Sequence, residues 1–203
     1  MENTGDILLG LVLCGGKSSR MGQDKGQLTK DHSIWAEHMG HLLRSVGLAT
    51  YFSIHPSQFE AYQHIFPSEI LIPDQVDIKG PLAGLLSAHR LFPKADIFVL
   101  PCDMIDMEAP LLERLIDIRR QIVQADVYLY IRHGQVEPLC AIYTASGLHK
   151  LYADYQSGGL TNFSMKRAIQ NLRSVKVPAP ENAADFRNYN TPEDIVKWQK
   201  APL

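Results

Sequence analysis

The sequence reads ILLGLVL over residues 7–13 and continues at once as CGGKSSRMGQDK over residues 14–25. The first segment is a short, unbroken apolar run, which is typical of a strand buried on both faces of a sheet. The second segment turns polar and opens with Gly15 and Gly16, which allow close backbone approach and unusual dihedral angles. Successive backbone N–H groups in such a loop can bind an anion. Together the two segments predict a buried strand that leads into an anion-binding loop.

Positive charge in this loop points to a phosphate ligand. Lys17, Arg20 and Lys25 place three cations within nine residues. An arginine guanidinium grips phosphate oxygens through its planar fork, whereas a lysine ammonium acts as a mobile point charge. This combination is what a triphosphate requires.

Two other phosphate-binding motifs do not fit the loop. A P-loop ends in Gly-Lys-Ser/Thr, but Gly22 is followed here by Gln23. The dinucleotide fingerprint needs three glycines at its own spacing, which Gly15, Gly16 and Gly22 do not match. The pattern therefore disfavours a P-loop NTPase and a dehydrogenase.

Strand-like and helix-like runs alternate along the rest of the chain. Strands are predicted over residues 7–13, 50–54, 70–72, 97–100, 127–131, 139–143 and 175–177. Helices are predicted over residues 33–46, 81–91, 109–119, 146–155, 162–172 and 192–199. Such alternation predicts an α/β fold with an open, mostly parallel sheet and helices on both faces. Ligands bind such sheets beyond the carboxyl ends of the strands, so functional residues are expected just after strands.

Three finer expectations follow from local patterns. The helix predicted over residues 33–46 places Ile34, His38, Leu42 and Val46 on one face. Asp106 is interpreted as a residue that starts the next helix. Taken alone, the strand over residues 139–143 fits an edge strand that begins after a proline.

Composition limits the class of protein. The 203 residues suit a single domain over 1–203 with a structured core of about 7–199, and the formal net charge of −2 gives no bulk attraction to nucleic acid or to an anionic membrane. The three cysteines are far apart and form no close metal-binding pair, which favours a reduced, cytoplasmic protein with buried thiols. No apolar run approaches the ~20 residues of a membrane span.

Acidic and glycine-rich segments follow later predicted strands. Asp74 comes just after the strand at 70–72 and precedes Gly80 and Gly84 at the start of the predicted helix 81–91. Its carboxylate could accept hydrogen bonds from a guanine edge or a ribose, although an ordinary turn aspartate is the alternative. Asp103 follows the strand at 97–100, where a carboxylate suits Mg²⁺ bound together with substrate phosphates.

The loop resembles the signature Leu-x-Gly-Gly-x-x-x-Arg-Met-Gly-x-x-Lys of nucleotidyltransferases, and the whole chain is most similar to molybdenum cofactor guanylyltransferases. The resemblance implies a three-layer Rossmann-like nucleotidyltransferase fold and transfer of GMP from GTP to the terminal phosphate of molybdopterin. It implies a nucleotide site built by Leu13, Cys14, Gly15, Gly16, Lys25, Asp74, Gly80 and Gly84. It also implies catalytic roles for Arg20, Lys25 and Asp103, with Asp103 as the Mg²⁺ ligand and Asn190 near a second metal or the acceptor.

The resemblance carries expectations about partners and one departure. GTP and molybdopterin are the implied substrates, with transient contacts to other cofactor-biosynthesis or acceptor proteins, and with no nucleic acid or membrane. The family often has an asparagine near the base after the second strand, where this chain offers Ser53 or His55. The alternatives are a cytidylyltransferase or sugar-phosphate nucleotidyltransferase of the same fold, and a non-catalytic GTP-binding sensor or carrier.

Overall fold

A computed structural model describes residues 7–15, 24–30, 33–180, 186–187 and 189 of the chain. The helix predicted over residues 192–199 lies outside these residues, so it stays a prediction. Within them no helix is both long enough and apolar enough to cross a membrane.

One seven-stranded sheet organises the molecule. Its strands are β1 (Leu8–Leu13), β4 (Ala49–Ile54), β5 (Leu71–Pro73), β6 (Asp96–Pro101), β7 (Val127–Arg132), β8 (Gln135–Tyr143) and β9 (Ser174–Pro178). Two short strands, β2 (Thr29–Lys30) and β3 (Ser33–Ile34), pair separately. The order across the main sheet is β5-β4-β1-β6-β8-β7-β9. The apolar run that precedes the glycine pair therefore forms a central strand.

Only β8 opposes the other strands of this sheet. It is joined to β7 by a tight hairpin in which His133 and Gly134 both have positive φ angles. The prediction of an edge strand is wrong, because β8 lies between β6 and β7. This strand also contains Pro138. Its pairing with β7 jumps from Glu137 to Ala141, so Pro138 falls in an irregularity where no ladder hydrogen bond is needed.

Helices cover both faces of the sheet, which confirms the predicted α/β architecture. They are α1 (Trp35–Ser45), α2 (Phe59–Gln63), α3 (Pro81–Leu91), α4 (Ala109–Gln121), α5 (Ala145–Gln156) and α6 (Met165–Ala168). Alternate side chains of β1 enter different cores, since strand residues point to opposite faces in turn. Val12 joins the core under α1, α2 and α4, whereas Leu11 and Leu13 join the core under α3, α5 and α6.

Two predicted helices differ from the observed ones. In α1 the buried face is formed by Trp35, Met39 and Leu43 and their neighbours. The residues of the predicted face are only partly buried: Ile34, His38, Leu42 and Val46. The helix expected over residues 162–172 is reduced to α6 and a following 3₁₀ turn, Ile169–Asn171. Here the Asn162 side chain accepts from the Ser164 backbone N–H (2.9 Å), a local turn that competes with helix.

Candidate active site

A cavity of about 530 Å³ opens at the carboxyl edge of the sheet. It lies beyond the ends of β1, β4 and β5 and against the first turn of α3. A volume in this range suits a nucleoside-sized ligand, since small-molecule sites usually measure ~300–1,000 Å³. The lining residues are Leu13, Gly15, Ser53, His55, Pro56, Asp74, Val76, Asp77, Ile78, Lys79, Gly80, Pro81 and Gly84.

Five of the eight residues that the sequence predicts to bind the nucleotide line this cavity. The residues that line it include Leu13, Gly15, Asp74, Gly80 and Gly84. The Cys14 side chain does not, because it is buried in the core on the α1 face of the sheet. Gly16 and Arg20 lie outside the described residues.

The backbone after β1 is held against β4. The N–H groups of Cys14 and Gly15 both donate to the Ser53 carbonyl, at 2.8 and 3.2 Å. These two amides are therefore occupied, and an anion would have to use N–H groups further along the loop. What this hydrogen bonding does achieve is to seat Gly15 beside the end of β4 at the cavity wall.

Asp74 stands at the inner side of the cavity, immediately after β5. Its N–H donates to the Ile54 carbonyl (2.9 Å), which continues the pairing of β5 with β4. The Ser53 hydroxyl donates to Asp74 Oδ1 at 3.4 Å. Burial raises the pKa of the Asp74 carboxyl, while the Ser53 hydrogen bond and the nearby His55 oppose the rise. The geometry makes Asp74 an oriented, partly desolvated acceptor.

The first turn of α3 closes the cavity from the other side. A β-carbon on Gly84 would lie 1.9 Å from Ser53 Oγ, so α3 can pack this closely on β4 only because Gly84 has no side chain. Gly80 precedes the helix with φ 92°, a conformation that favours glycine. Pro81 then occupies the first turn, where its missing N–H costs nothing.

The two candidates for the family asparagine differ in their surroundings. Ser53 is buried and already bonded to Asp74. The His55 ring is exposed, and its Nδ1 lies 3.2 Å from the Ser57 N–H and 2.7 Å from the Ser57 hydroxyl. His55 therefore caps the 3₁₀ turn Pro56–Gln58. Of the two side chains, Ser53 is the one that donates a hydrogen bond to Asp74, the residue predicted to bind the base.

Beside the cavity, Lys25 and Asp103 form an ion pair. Lys25 Nζ lies 2.9 Å from Asp103 Oδ2, and the two side chains are 17% and 14% exposed. Lys25 opens the 3₁₀ turn Lys25–Gln27, and Asp103 follows β6. The neighbouring Cys102 N–H donates to the Leu13 carbonyl (3.1 Å), so the pair is tied to a strand end that lines the cavity.

The late part of the chain returns to Asp103. The Tyr189 N–H donates to the Asp103 carbonyl at 3.3 Å, and its hydroxyl donates to Asp106 Oδ2 at 2.5 Å. Its ring meets Trp35 edge to face, with centroids 6.1 Å apart. The interpretation of Asp106 as a helix-start residue is therefore wrong, since it binds Tyr189 and α4 begins after Glu108. Asn190 follows Tyr189 in sequence but lies outside the described residues.

Asp103 is the residue predicted to bind Mg²⁺. Among the side chains that the structure describes, no three of His, Cys, Asp or Glu are grouped so as to hold a metal ion. Asp103 offers a single carboxylate, already paired with a cation. That arrangement fits Mg²⁺ that takes most of its oxygen ligands from a bound triphosphate and water, the usual way Mg²⁺ binds to nucleotide enzymes.

Three residues near the site were not singled out from the sequence. Asp24 accepts hydrogen bonds from Gln58 and Tyr62, which lie in the turn and helix after β4. No local pattern indicates these partners, because the contacts join segments more than thirty residues apart in the chain. Only the packing of the 3₁₀ turn Pro56–Gln58 and of α2 against Asp24 reveals them.

These features define a class of protein. The glycine pair after the central strand, the nucleoside-sized cavity at the carboxyl edge and the adjacent lysine–aspartate pair fit an α/β protein that binds a nucleotide. Residues 10–175 match the model of the MobA-like NTP transferase domain. The chain belongs to this family.

Individual relatives agree with that assignment. A molybdenum cofactor guanylyltransferase from Pseudomonas syringae pv. tomato is 30% identical over 184 residues, which cover 90% of this chain and 88% of that protein. The molybdenum cofactor biosynthesis bifunctional protein of Synechocystis is 32% identical over 92% of this chain, which spans only 52% of that protein. The crystal structure of molybdopterin-guanine dinucleotide biosynthesis protein A from Archaeoglobus fulgidus has the same fold, with TM-score 0.75, 24% identity and coverage of 93% and 95%.

Proposed function

We propose that this protein transfers GMP from GTP to the terminal phosphate of molybdopterin and releases pyrophosphate. The observation that carries the proposal is the nucleoside-sized cavity around Asp74 beside the Lys25–Asp103 pair. The names of its relatives, molybdenum cofactor guanylyltransferases, support the choice of base and acceptor. The buried, unbridged cysteines agree with a cytoplasmic setting.

Base recognition is assigned to Asp74. Guanine presents two neighbouring donors, N1–H and the exocyclic amine, and an ionised carboxylate accepts from both. Ser53 holds Oδ1 of Asp74, which restricts the rotation of the carboxylate. Gly15 and Gly84 both line the cavity, and the absence of a side chain at Gly84 lets α3 pack directly against Ser53.

The transfer step needs no covalent enzyme intermediate. An oxygen of the molybdopterin phosphate attacks the α-phosphorus of GTP in line and forms the new P–O bond. The bond from the α-phosphorus to the bridging oxygen breaks, and pyrophosphate leaves with that electron pair. Because the attacking phosphate is largely ionised near neutral pH, no general base is required. Catalysis then depends on positioning and on neutralising phosphate charge.

Lys25 and Arg20 supply the charge on the protein side. Lys25 Nζ lies 2.9 Å from Asp103 Oδ2, and the proposal also gives this ammonium a phosphate oxygen of the bound triphosphate. Arg20 belongs to the same loop in the sequence and offers a bidentate fork. Asp103 is the residue that would hold Mg²⁺, whose chemistry when bound is to neutralise and orient the phosphate oxygens. Asn190, next to Tyr189, remains the proposed contact for a second metal or the acceptor.

The test is pyrophosphate release from GTP, CTP and ATP in turn, with Mg²⁺ and either molybdopterin or a sugar phosphate. We expect release that requires both GTP and molybdopterin and that stops when Mg²⁺ is chelated. The Asp103→Ala variant serves as the background control. Release with CTP or with a sugar phosphate would replace the proposed substrate while keeping the chemistry. Tight GTP binding without release under any condition would favour the sensor or carrier instead.

A further inference from the structure

Asp24, which directly precedes Lys25, accepts hydrogen bonds from three separate groups. Oδ1 accepts from the Gly26 N–H (3.0 Å) and from the Tyr62 hydroxyl (3.2 Å). Oδ2 accepts from Gln58 Nε2 at 2.6 Å. We call these four residues, Asp24, Gly26, Gln58 and Tyr62, the Asp24 clasp. It joins the turn that carries Lys25 to the segment after β4.

The clasp is closely packed around the Tyr62 hydroxyl. Tyr62 is fully buried, and a β-carbon on Gly26 would lie 2.1 Å from its hydroxyl oxygen. Burial, together with the nearby Cys14 and Asp24, raises the pKa of Tyr62 far above its ordinary value, so the hydroxyl keeps its proton and donates. The 3₁₀ turn can therefore approach Tyr62 of α2 this closely because Gly26 has no side chain.

Gln58 extends the clasp to the nucleotide cavity. Its Nε2 also donates to the Cys14 carbonyl at 3.3 Å, at the end of β1. Its Oε1 accepts from the His55 N–H at 2.7 Å, at the end of β4. One side chain thus connects Asp24 with two strand ends that border the cavity.

Lys25 itself is long and flexible, so its direction depends on where its backbone is held. Asp24 caps the start of the 3₁₀ turn by accepting from the Gly26 N–H, and Lys25 Nζ then reaches Asp103 at 2.9 Å. We infer that Asp24, Gln58 and Tyr62 are positioning residues, which direct Lys25 toward Asp103 and toward a bound triphosphate. This inference rests on the proposed function.

The first test is the Tyr62→Phe variant, which removes only the hydroxyl donor of the clasp. If Lys25 acts in the transition state, kcat for GMP transfer should fall roughly tenfold while KM for GTP changes less than about twofold. Tyr130→Phe is the matched control, because Tyr130 is equally buried and donates to the Leu111 carbonyl (2.8 Å) away from the site. An equal loss of kcat in the control would show general loosening of the fold.

A double-mutant cycle separates positioning from structural damage. In a Lys25→Ala background, Tyr62→Phe should cause no further loss of kcat, because the residue that it directs is already absent. If the same roughly tenfold loss appears in both backgrounds, Tyr62 acts independently of Lys25 and the inference is overturned.

The reactivity of the Lys25 amine gives a readout that does not depend on activity. Reductive methylation with formaldehyde, followed by peptide mass spectrometry, measures how fast Lys25 is labelled without any substrate. We expect severalfold faster labelling in Tyr62→Phe than in the unaltered protein or in Tyr130→Phe. Unchanged labelling overturns the inference. If no nucleotide gives pyrophosphate release, the proposed function fails, and labelling still decides whether the clasp positions Lys25.

Discussion

Lys25 and Asp103 are 78 positions apart in the chain, and their side chains meet at 2.9 Å. Lys25 comes after β1 in the chain and Asp103 comes after β6. These two strands are parallel neighbours at the centre of the sheet. Their meeting balances one negative and one positive charge beside the candidate nucleotide cavity.

Replacing Lys25 by alanine should mainly lower turnover. The ammonium would stabilise charge that grows on the phosphates during transfer, so its loss should reduce kcat by about 10²–10³ while KM for GTP changes little. Steady-state pyrophosphate release over a range of GTP concentrations measures both constants. Lys94→Ala removes an equal charge from an exposed position and should leave both unchanged. A large rise in KM with normal kcat would instead make Lys25 a ground-state binding residue.

The Asp103→Ala variant should lose metal-dependent activity. Asp103 is the one carboxylate that the proposal gives to Mg²⁺, and because its side chain and that of Lys25 are mostly buried, its loss should also lower the free energy of unfolding by about 1–3 kcal/mol. Magnesium titrations of pyrophosphate release and urea unfolding check the two parts. Asp117→Ala, in α4 and well exposed, is the control. Near-normal turnover with Mg²⁺ still required would remove Asp103 from the mechanism.

Asp74→Asn should weaken GTP binding by roughly tenfold, because an amide cannot accept two hydrogen bonds from guanine as a carboxylate does. Isothermal titration gives the dissociation constant directly. Asp77→Asn removes the same charge from the same loop, and its backbone N–H still meets the Tyr155 hydroxyl. Equal weakening in both variants would point to general electrostatics, and no weakening would leave Asp74 as a turn residue.

Asp74 should also give the fold a specific pH dependence. Burial raises the pKa of its carboxyl in the folded state, so the folded protein binds this proton more tightly than the unfolded chain. The free energy of unfolding must then fall as pH rises from the ordinary value of ~3.9 toward the higher folded value. Asp74→Asn removes this loss, and urea unfolding at several pH values should show the variant gaining relative stability above that range.

Asp126 should affect the pH dependence of stability in the opposite direction to Asp74. Burial raises its pKa, but hydrogen bonds from Arg173 and Lys150 outweigh this effect and lower the pKa well below its ordinary value. Its contribution to stability is therefore present at neutral pH and lost as pH falls below ~3.9. Asp126→Asn should be less stable than the unaltered protein at neutral pH, with a deficit that shrinks in acid. If Asp74→Asn and Asp126→Asn changed the free energy of unfolding in the same direction at neutral pH, these assignments would be contradicted.

Gly84→Ala should damage both folding and binding. The new β-carbon would lie 1.9 Å from Ser53 Oγ, so Ser53 or α3 must shift, at a cost of roughly 1–3 kcal/mol. The shift should also disturb Asp74 and weaken GTP binding. Gly147→Ala creates a similar clash, 2.3 Å from the Asp126 carbonyl, outside the cavity. It should lose stability while keeping its GTP affinity, and equal binding in both variants would refute the role of this contact.

How far the sequence predicts the molecule depends on whether a feature is local. The helix expected over residues 81–91 matches α3 because Gly80 and Pro81 mark its start within the segment itself. The sequence does not predict the buried face of α1, since apolar residues occupy more than one face of this helix and its packing against β1 and β4 decides which is buried. Likewise Asp74 and Asp103 follow their strands as expected, whereas the partners of Asp24 depend on tertiary packing.

The strand order has a consequence for how the protein is made. β1 leaves the ribosome before its sheet neighbours β4 and β6, which follow it in the chain. Closing such distant contacts costs chain entropy that is recovered only once the partner strands exist. A nascent chain that ends before Asp96 lacks both Asp103, the counter-ion of Lys25, and β6, one of the two strands that pair with β1. Residues 14–25 are thus translated before the strand and the carboxylate that complete the candidate site.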